Sequence, residues 1–104
     1  MIRGAIYRVD LGAQRRGPAL RGRRYGVVLS RTDWSMVTIV PTSTSAQRSR
    51  FRPRIDIGST PTLLLVDQVR SVDVDSVRGA PVGYLTRDEL TALDAAVIRY
   101  LGLD

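Results

Sequence analysis

Apolar and polar positions alternate through the first three quarters of the chain, and the period then changes. "AIYRVDL" (5–11) alternates as a half-buried strand does. "YGVVLS" (25–30) and "MVTIVPTS" (36–43) are β-branched runs joined by a short polar connection that holds Trp34, which either packs under the loop or marks a contact site. From Phe51 to Ile57 the alternation sets Phe51, Pro53, Ile55 and Ile57 on one face and Arg52, Arg54 and Asp56 on the other. Pro53 has no amide to donate, so this strand is expected at a sheet edge or a bulge. "TLLLV" (62–66) reads as a buried strand running straight into "DQVRSVDVD" (67–75), and a last strand is expected at "GAPVGYL" (79–85). Between the first two strands, "GAQRRGPALRGR" (12–23) is a loop by its Gly and Pro punctuation.

The tail reads differently. Thr86 followed by Glu89 three residues later is a capping box, and Leu90, Leu93, Val97 and Leu101 recur at helical spacing. An amphipathic helix of about four turns is therefore expected. With no internal repeat and no low-complexity linker, residues 1–104 are expected to form one domain: a small, mainly β, mostly antiparallel barrel or strongly curved sheet closed by a C-terminal helix.

Composition narrows the chemistry. Hydrophobic residues make up 43% of the 104 and charged residues 25%, as in an ordinary globular domain. Cysteine and histidine are both absent, which removes a disulfide framework and the usual transition-metal ligand sets. A carboxylate-only magnesium site stays open, although no tight acidic cluster announces one, and no cofactor is expected. No apolar run is long enough to span a membrane, and the first residues lack a signal-peptide core, so a soluble cytoplasmic protein is expected. The formal net charge of +6 calls for an anionic partner, either nucleic acid or an acidic protein. All 16 basic residues are arginine. Codon bias in a GC-rich genome accounts for that, yet arginine also offers phosphate a planar fork of donors.

The candidate chemistry gathers in "TIVPTSTSAQRSRFRPR" (38–54), where hydroxyl side chains precede Arg48, Arg50, Arg52 and Arg54 at alternate positions. On an extended strand those arginines would project about 6.6 Å apart and follow successive phosphates, with Tyr25 or Trp34 available to stack on bases. The same pattern would equally protect an edge strand from aggregation. Hydroxyls beside positive charge fit phosphate chemistry, but a chain without histidine leaves open which group moves the protons.

"MIRGAIYRVDLG", "GRRYGVVLS", "TIVPTST", "VDQVRSVD" and "GYLTRDELTALDAAVIRYLGL" resemble, in order and over nearly the whole chain, the landmarks of the MazF/PemK (Kid) toxins of type II toxin–antitoxin systems. The resemblance implies an SH3-like barrel with a C-terminal helix, a homodimer, and a metal-independent endoribonuclease that cuts single-stranded RNA. It also implies an acidic antitoxin lying along the toxin and blocking its RNA site. The family's arginine at the start of the second strand falls on Arg24, and its threonine at the end of the third falls on Thr44, flanked by Ser43. "DQVR" supplies Asp67 and Gln68, which the resemblance places near the RNA, with Arg23 and Tyr25 beside Arg24. Three positions depart: Tyr25 stands where the family has proline, Ala5 where it has glutamate, and "GPALRG" replaces a loop that carries a glutamate near the site.

Such a site needs no activated serine or cysteine, because RNA carries its own 2′-hydroxyl nucleophile. Thr44 and Ser43 are then donors to phosphoryl oxygens, and Arg24 clamps the phosphate and donates to the departing 5′ oxygen. Asp67 is the candidate base, or else it anchors its own turn. Two alternatives keep the fold: a CcdB-like gyrase poison, whose C-terminal tryptophan is missing from "RYLGLD", and a basic barrel that binds RNA without cutting it.

Overall fold

A computed structural model describes residues 1–12, 22–31 and 35–104; most of the arginine-rich 12–23 loop and Trp34 lie outside the described residues. The strands are β1 (Ala5–Asp10), β2 (Arg23–Ser30), β3 (Met36–Ser43), β4 (Arg54–Ile57), β5 (Thr60–Leu64), β6 (Arg70–Asp73) and β7 (Val77–Tyr84), followed by helix α1 (Arg87–Leu101). Six strands pair in the order β4-β5-β3-β2-β1-β7, and β6 joins the other half of β3. Every pairing is antiparallel.

Strand β3 makes the sheet curl. Its first half, Met36 to Ile39, pairs with β6, while Thr42 and Ser43 pair with Leu64 and Leu63 of β5. The opposite edge of β3 pairs with β2 from Thr38 to Pro41, with a register shift between Val28 and Ser30. The two outer strands therefore diverge from β3, and the open end of the curl lies where β2 begins and β3 ends.

Alternation sends apolar side chains to both faces of the sheet. Ala5, Tyr7, Val9, Leu11, Val28, Val37, Ile39 and Val72 form one buried cluster. Ile6, Val27, Val40, Ile55, Leu64 and Val66 form the other, against Leu93 and Ala96 of the helix. The capping box closes as expected: the Thr86 hydroxyl accepts from the Glu89 amide, and the Glu89 carboxylate accepts from the Thr86 amide. The second Glu89 oxygen accepts from the Asp56 amide at 2.9 Å, so the helix start also satisfies a donor on edge strand β4. At the far end Gly102, with φ of 70°, stops the helix, and the Leu103 amide returns to the Ile98 carbonyl.

Two expectations change. Leu101, at helical spacing with Leu90, Leu93 and Val97, is 55% exposed, while Tyr100 in the same turn packs inward on Phe51. The strand expected from Phe51 begins only at Arg54. Ahead of it the chain turns, with the Arg52 amide bonded to the Ser49 carbonyl, and Phe51 packs edge-on against Tyr100 at 5.4 Å between ring centroids. The tyrosine hydroxyl in turn donates to the Asp67 carbonyl. Among the described residues no helix is long and apolar enough to cross a membrane.

Candidate functional site

The open end of the curl holds a cleft of about 810 Å³. The Gly26↔Pro41 register carries the start of β2 alongside the end of β3, which puts Arg24 and Ser43 at the same end of the sheet. Arg23, Arg24 and Tyr25 line the cleft from β2, and Thr42, Ser43 and Thr44 line it from the end of β3. Arg8 and Asp10 join from β1, Arg78 from β7, and Thr60 and Thr62 from β5.

Local hydrogen bonds fix the hydroxyl face. Thr42 is buried and donates to the Tyr25 carbonyl at 2.8 Å, locking the end of β3 to β2. The buried Ser43 Oγ accepts from the Ser45 and Ala46 amides, at 3.1 and 3.0 Å. That side-chain turn ends the strand and leaves Ser43 its own hydroxyl proton to donate. Thr44, held on the outside of the turn, is exposed to the cleft. A short hydroxyl run in sequence thus becomes three oxygens with different duties: one ties two strands, one builds the turn, and one faces solvent.

Among the described residues, four arginines and one aspartate line the cleft. The registers Arg8↔Tyr25 and Arg8↔Arg78 set these three residues in one row across β2, β1 and β7. The Arg8 guanidinium lies 5.9 Å from the Tyr25 ring centroid, a cation–π pair that holds both at the rim. Asp10 stands across from Arg23, one position from the Val9↔Arg24 pair. The excess of positive charge in a concave surface with apolar walls favours a phosphate.

The site brings together only some of the residues singled out from sequence. Arg23, Arg24, Tyr25, Ser43 and Thr44 share the cleft, whereas Asp67, Gln68, Arg48, Arg50, Arg52 and Arg54 do not line it. Asp67 sits in a short 3-10 turn (Val66–Gln68) with both carboxylate oxygens engaged by Arg52, at 3.0 and 2.9 Å. The hydrogen bond from Arg52, aided by its charge, outweighs burial and holds the Asp67 carboxyl below the usual range, while the same bond raises Arg52. The expected row of alternate arginines is not formed, because the strand starts too late and Arg52 turns in to Asp67 and the Gln47 carbonyl. Arg50 packs over the Phe51 ring at 5.0 Å, and Arg54 reaches Asp56 at 3.6 Å on the exposed edge.

Arg8, Asp10, Thr60, Thr62 and Arg78 were missed as site residues. In the sequence Arg8 and Asp10 are merely the polar half of an alternating strand. The only signal that could have found them is the β1–β2 pairing itself, which places them beside Tyr25 and Arg23.

Comparison with known proteins follows the same outline. Residues 2–101 match the family of PemK-like, MazF-like toxins of type II toxin–antitoxin systems. A Mycobacterium tuberculosis (strain ATCC 25618 / H37Rv) protein named as a candidate toxin, Rv3098A, is 53% identical over 105 residues, covering 99% of each chain. An endoribonuclease in complex with its cognate antitoxin, from a mycobacterial species, matches with a TM-score of 0.79 at 20% identity, over 100% of this chain and 97% of its own. MazF from Deinococcus radiodurans matches with a TM-score of 0.80 at 23% identity, over 96% and 94% of the two chains. At that identity the two structures establish the fold. By the family match across residues 2–101 and the relative identical at half its positions, the chain belongs to the PemK/MazF family of type II toxin–antitoxin toxins.

Proposed function

We propose that the chain is a metal-independent endoribonuclease that cuts single-stranded RNA within a toxin–antitoxin pair. The observation that carries this reading is the meeting of Arg24, Ser43 and Thr44, from the ends of two strands, in a cleft that Arg8, Arg23 and Arg78 also line. The name of the structurally similar mycobacterial endoribonuclease supports it.

The reaction needs little from the protein. The RNA 2′-hydroxyl attacks its adjacent phosphorus, the 5′ oxygen departs, and the phosphoryl oxygens gain negative charge in between. Arg24 clamps that phosphate with parallel N–H bonds and supplies the proton for the 5′ oxygen. Thr44 and Ser43 donate to the oxygens where charge develops, and fixed donors of this kind are worth about 10²–10³ in rate each. Tyr25 offers a stacking face, while Arg8, Arg23 and Arg78 guide the flanking phosphates. Arg48, Arg50 and Arg54, exposed outside the cleft, fit a longer electrostatic track for RNA or for an acidic antitoxin. Val82, Tyr84, Ile98 and Leu101 are exposed apolar residues available to a homodimer contact. The cytoplasm, where messages are translated, is the place of action.

The test is digestion of a long unstructured RNA in EDTA. Wild-type protein is expected to cut at discrete positions, and Thr44→Ala and Arg24→Ala to lose about 10²-fold or more of the rate. Unchanged cutting by both variants would remove these residues from the site.

A further inference from the structure

Asp10 is the one carboxylate that lines the cleft among the described residues. Other carboxylates have structural posts. Asp67 is held through both oxygens by Arg52, Asp73 caps a short 3-10 turn, Glu89 closes the helix cap, and Asp94 pairs with Arg3. Asp56 stands on the far edge strand beside Arg54. The segment from residue 13 to 21 contains no acidic residue, so the loop that grows from this rim brings no carboxylate of its own.

We propose that Asp10 is the catalytic proton acceptor for the RNA 2′-hydroxyl. This rests on the endoribonuclease reading above and assigns the role which that reading leaves unfilled. The neck of the loop holds Asp10 in place: its Oδ1 accepts from the Gly12 amide at 2.9 Å, Gly12 takes the left-handed φ of 81° that this turn requires, and the Gly22 amide bonds back to the Gly12 carbonyl. One carboxylate oxygen is thereby anchored, and the proposal assigns Oδ2 to the substrate. Groups facing it are Arg23 across the β1–β2 pair, Arg8 and Arg24 in the same cleft, and Arg78 from β7. A second, smaller cleft behind Asp10 adds Asp73, Ser71 and Ser76.

In the step itself, the O2′–H bond breaks to Asp10 as the O2′–P bond forms. The P–O5′ bond then breaks, and the 5′ oxygen takes a proton from Arg24. Solvent returns Asp10 and Arg24 to their starting states, leaving a 2′,3′-cyclic phosphate and a 5′-hydroxyl. No oxidant, metal or activated water enters the balance.

The test compares wild type with Asp10→Asn in single-turnover cleavage of one RNA across a pH series. Asparagine keeps an oxygen for the Gly12 amide and cannot take the proton. Asp10→Ser, which also keeps an acceptor for that amide, is the second variant. Both are expected to lose about 10²–10⁴-fold in the cleavage rate constant and to show a flatter dependence of rate on pH than wild type. Affinity for an uncleavable 2′-deoxy analogue is expected to be equal or tighter, since a negative charge leaves a phosphate site, and that binding also reports a folded cleft. A rate within a few-fold of wild type, a loss explained by weaker RNA binding alone, or a rate collapse in Asp67→Asn with Asp10→Asn unaffected would overturn the assignment. If wild type itself cuts no RNA, the endoribonuclease reading fails. If wild type and Asp10→Asn cut alike, only the base assignment fails.

Discussion

Asp10, within the first strand, and Asp67, just after an apolar run, carry the same carboxylate, and the structure gives them opposite circumstances. Asp67 is gripped by the two nitrogens of Arg52, and both side chains are largely buried. A carboxylate so engaged is held in its charged form, which makes it a weaker proton acceptor. Its contribution is to stability, joining the turn before β4 to the turn after β5. Asp67→Ala is expected to lower unfolding free energy at neutral pH by about 1.5–3 kcal/mol, the range for hydrogen bonds to charged groups. The folded carboxyl lies below its unfolded value of about 3.9, so the contribution is full above that pH and fades as pH falls through the folded value. Urea titrations at neutral pH and near pH 3 check this: the gap between wild type and variant should shrink in acid. A gap unchanged at low pH would mean that the ion pair does not carry it.

Among the elements, β1 and β2 pack tightly where the Val9 side chain lies over Gly26. A Cβ on Gly26 would lie 2.9 Å from Val9 Cγ2. Val9 is buried and branched at Cβ, so it has little freedom to yield. Gly26→Ala is expected to cost about 1–3 kcal/mol by overpacking, read as a lower midpoint of thermal or denaturant unfolding; wild-type stability would show that the strands part without strain. Elements of this kind were legible locally. The alternation of β1, the β-branched runs of β2 and β3, the edge position signalled by Pro53 and the Thr86–Glu89 cap all come from spacing within a few residues. The segment from Arg48 to Arg52 was misread for the converse reason. Its alternation is strand-like, but Asp67, 15 residues beyond Arg52, and Tyr100 on the helix pull it into a turn. Local pattern carries no trace of either partner.

For the whole molecule, the site is a product of register. Arg24 and Thr44 were legible through family resemblance, and Arg8, Asp10 and Arg78 were not, because their meeting depends on β1 lying between β2 and β7. No window of sequence contains that arrangement. Among the described residues, the cleft it builds concentrates arginine and hydroxyl donors around one carboxylate, which suits a substrate that brings its own nucleophile and asks for charge stabilisation. An RNA oligonucleotide spanning a mapped cut site should be cleaved in EDTA to a 2′,3′-cyclic phosphate and a 5′-hydroxyl. The same oligonucleotide with a single 2′-deoxy sugar at the cut should bind and remain intact. Cleavage of the 2′-deoxy substrate, or products ending in 5′-phosphate, would contradict the account.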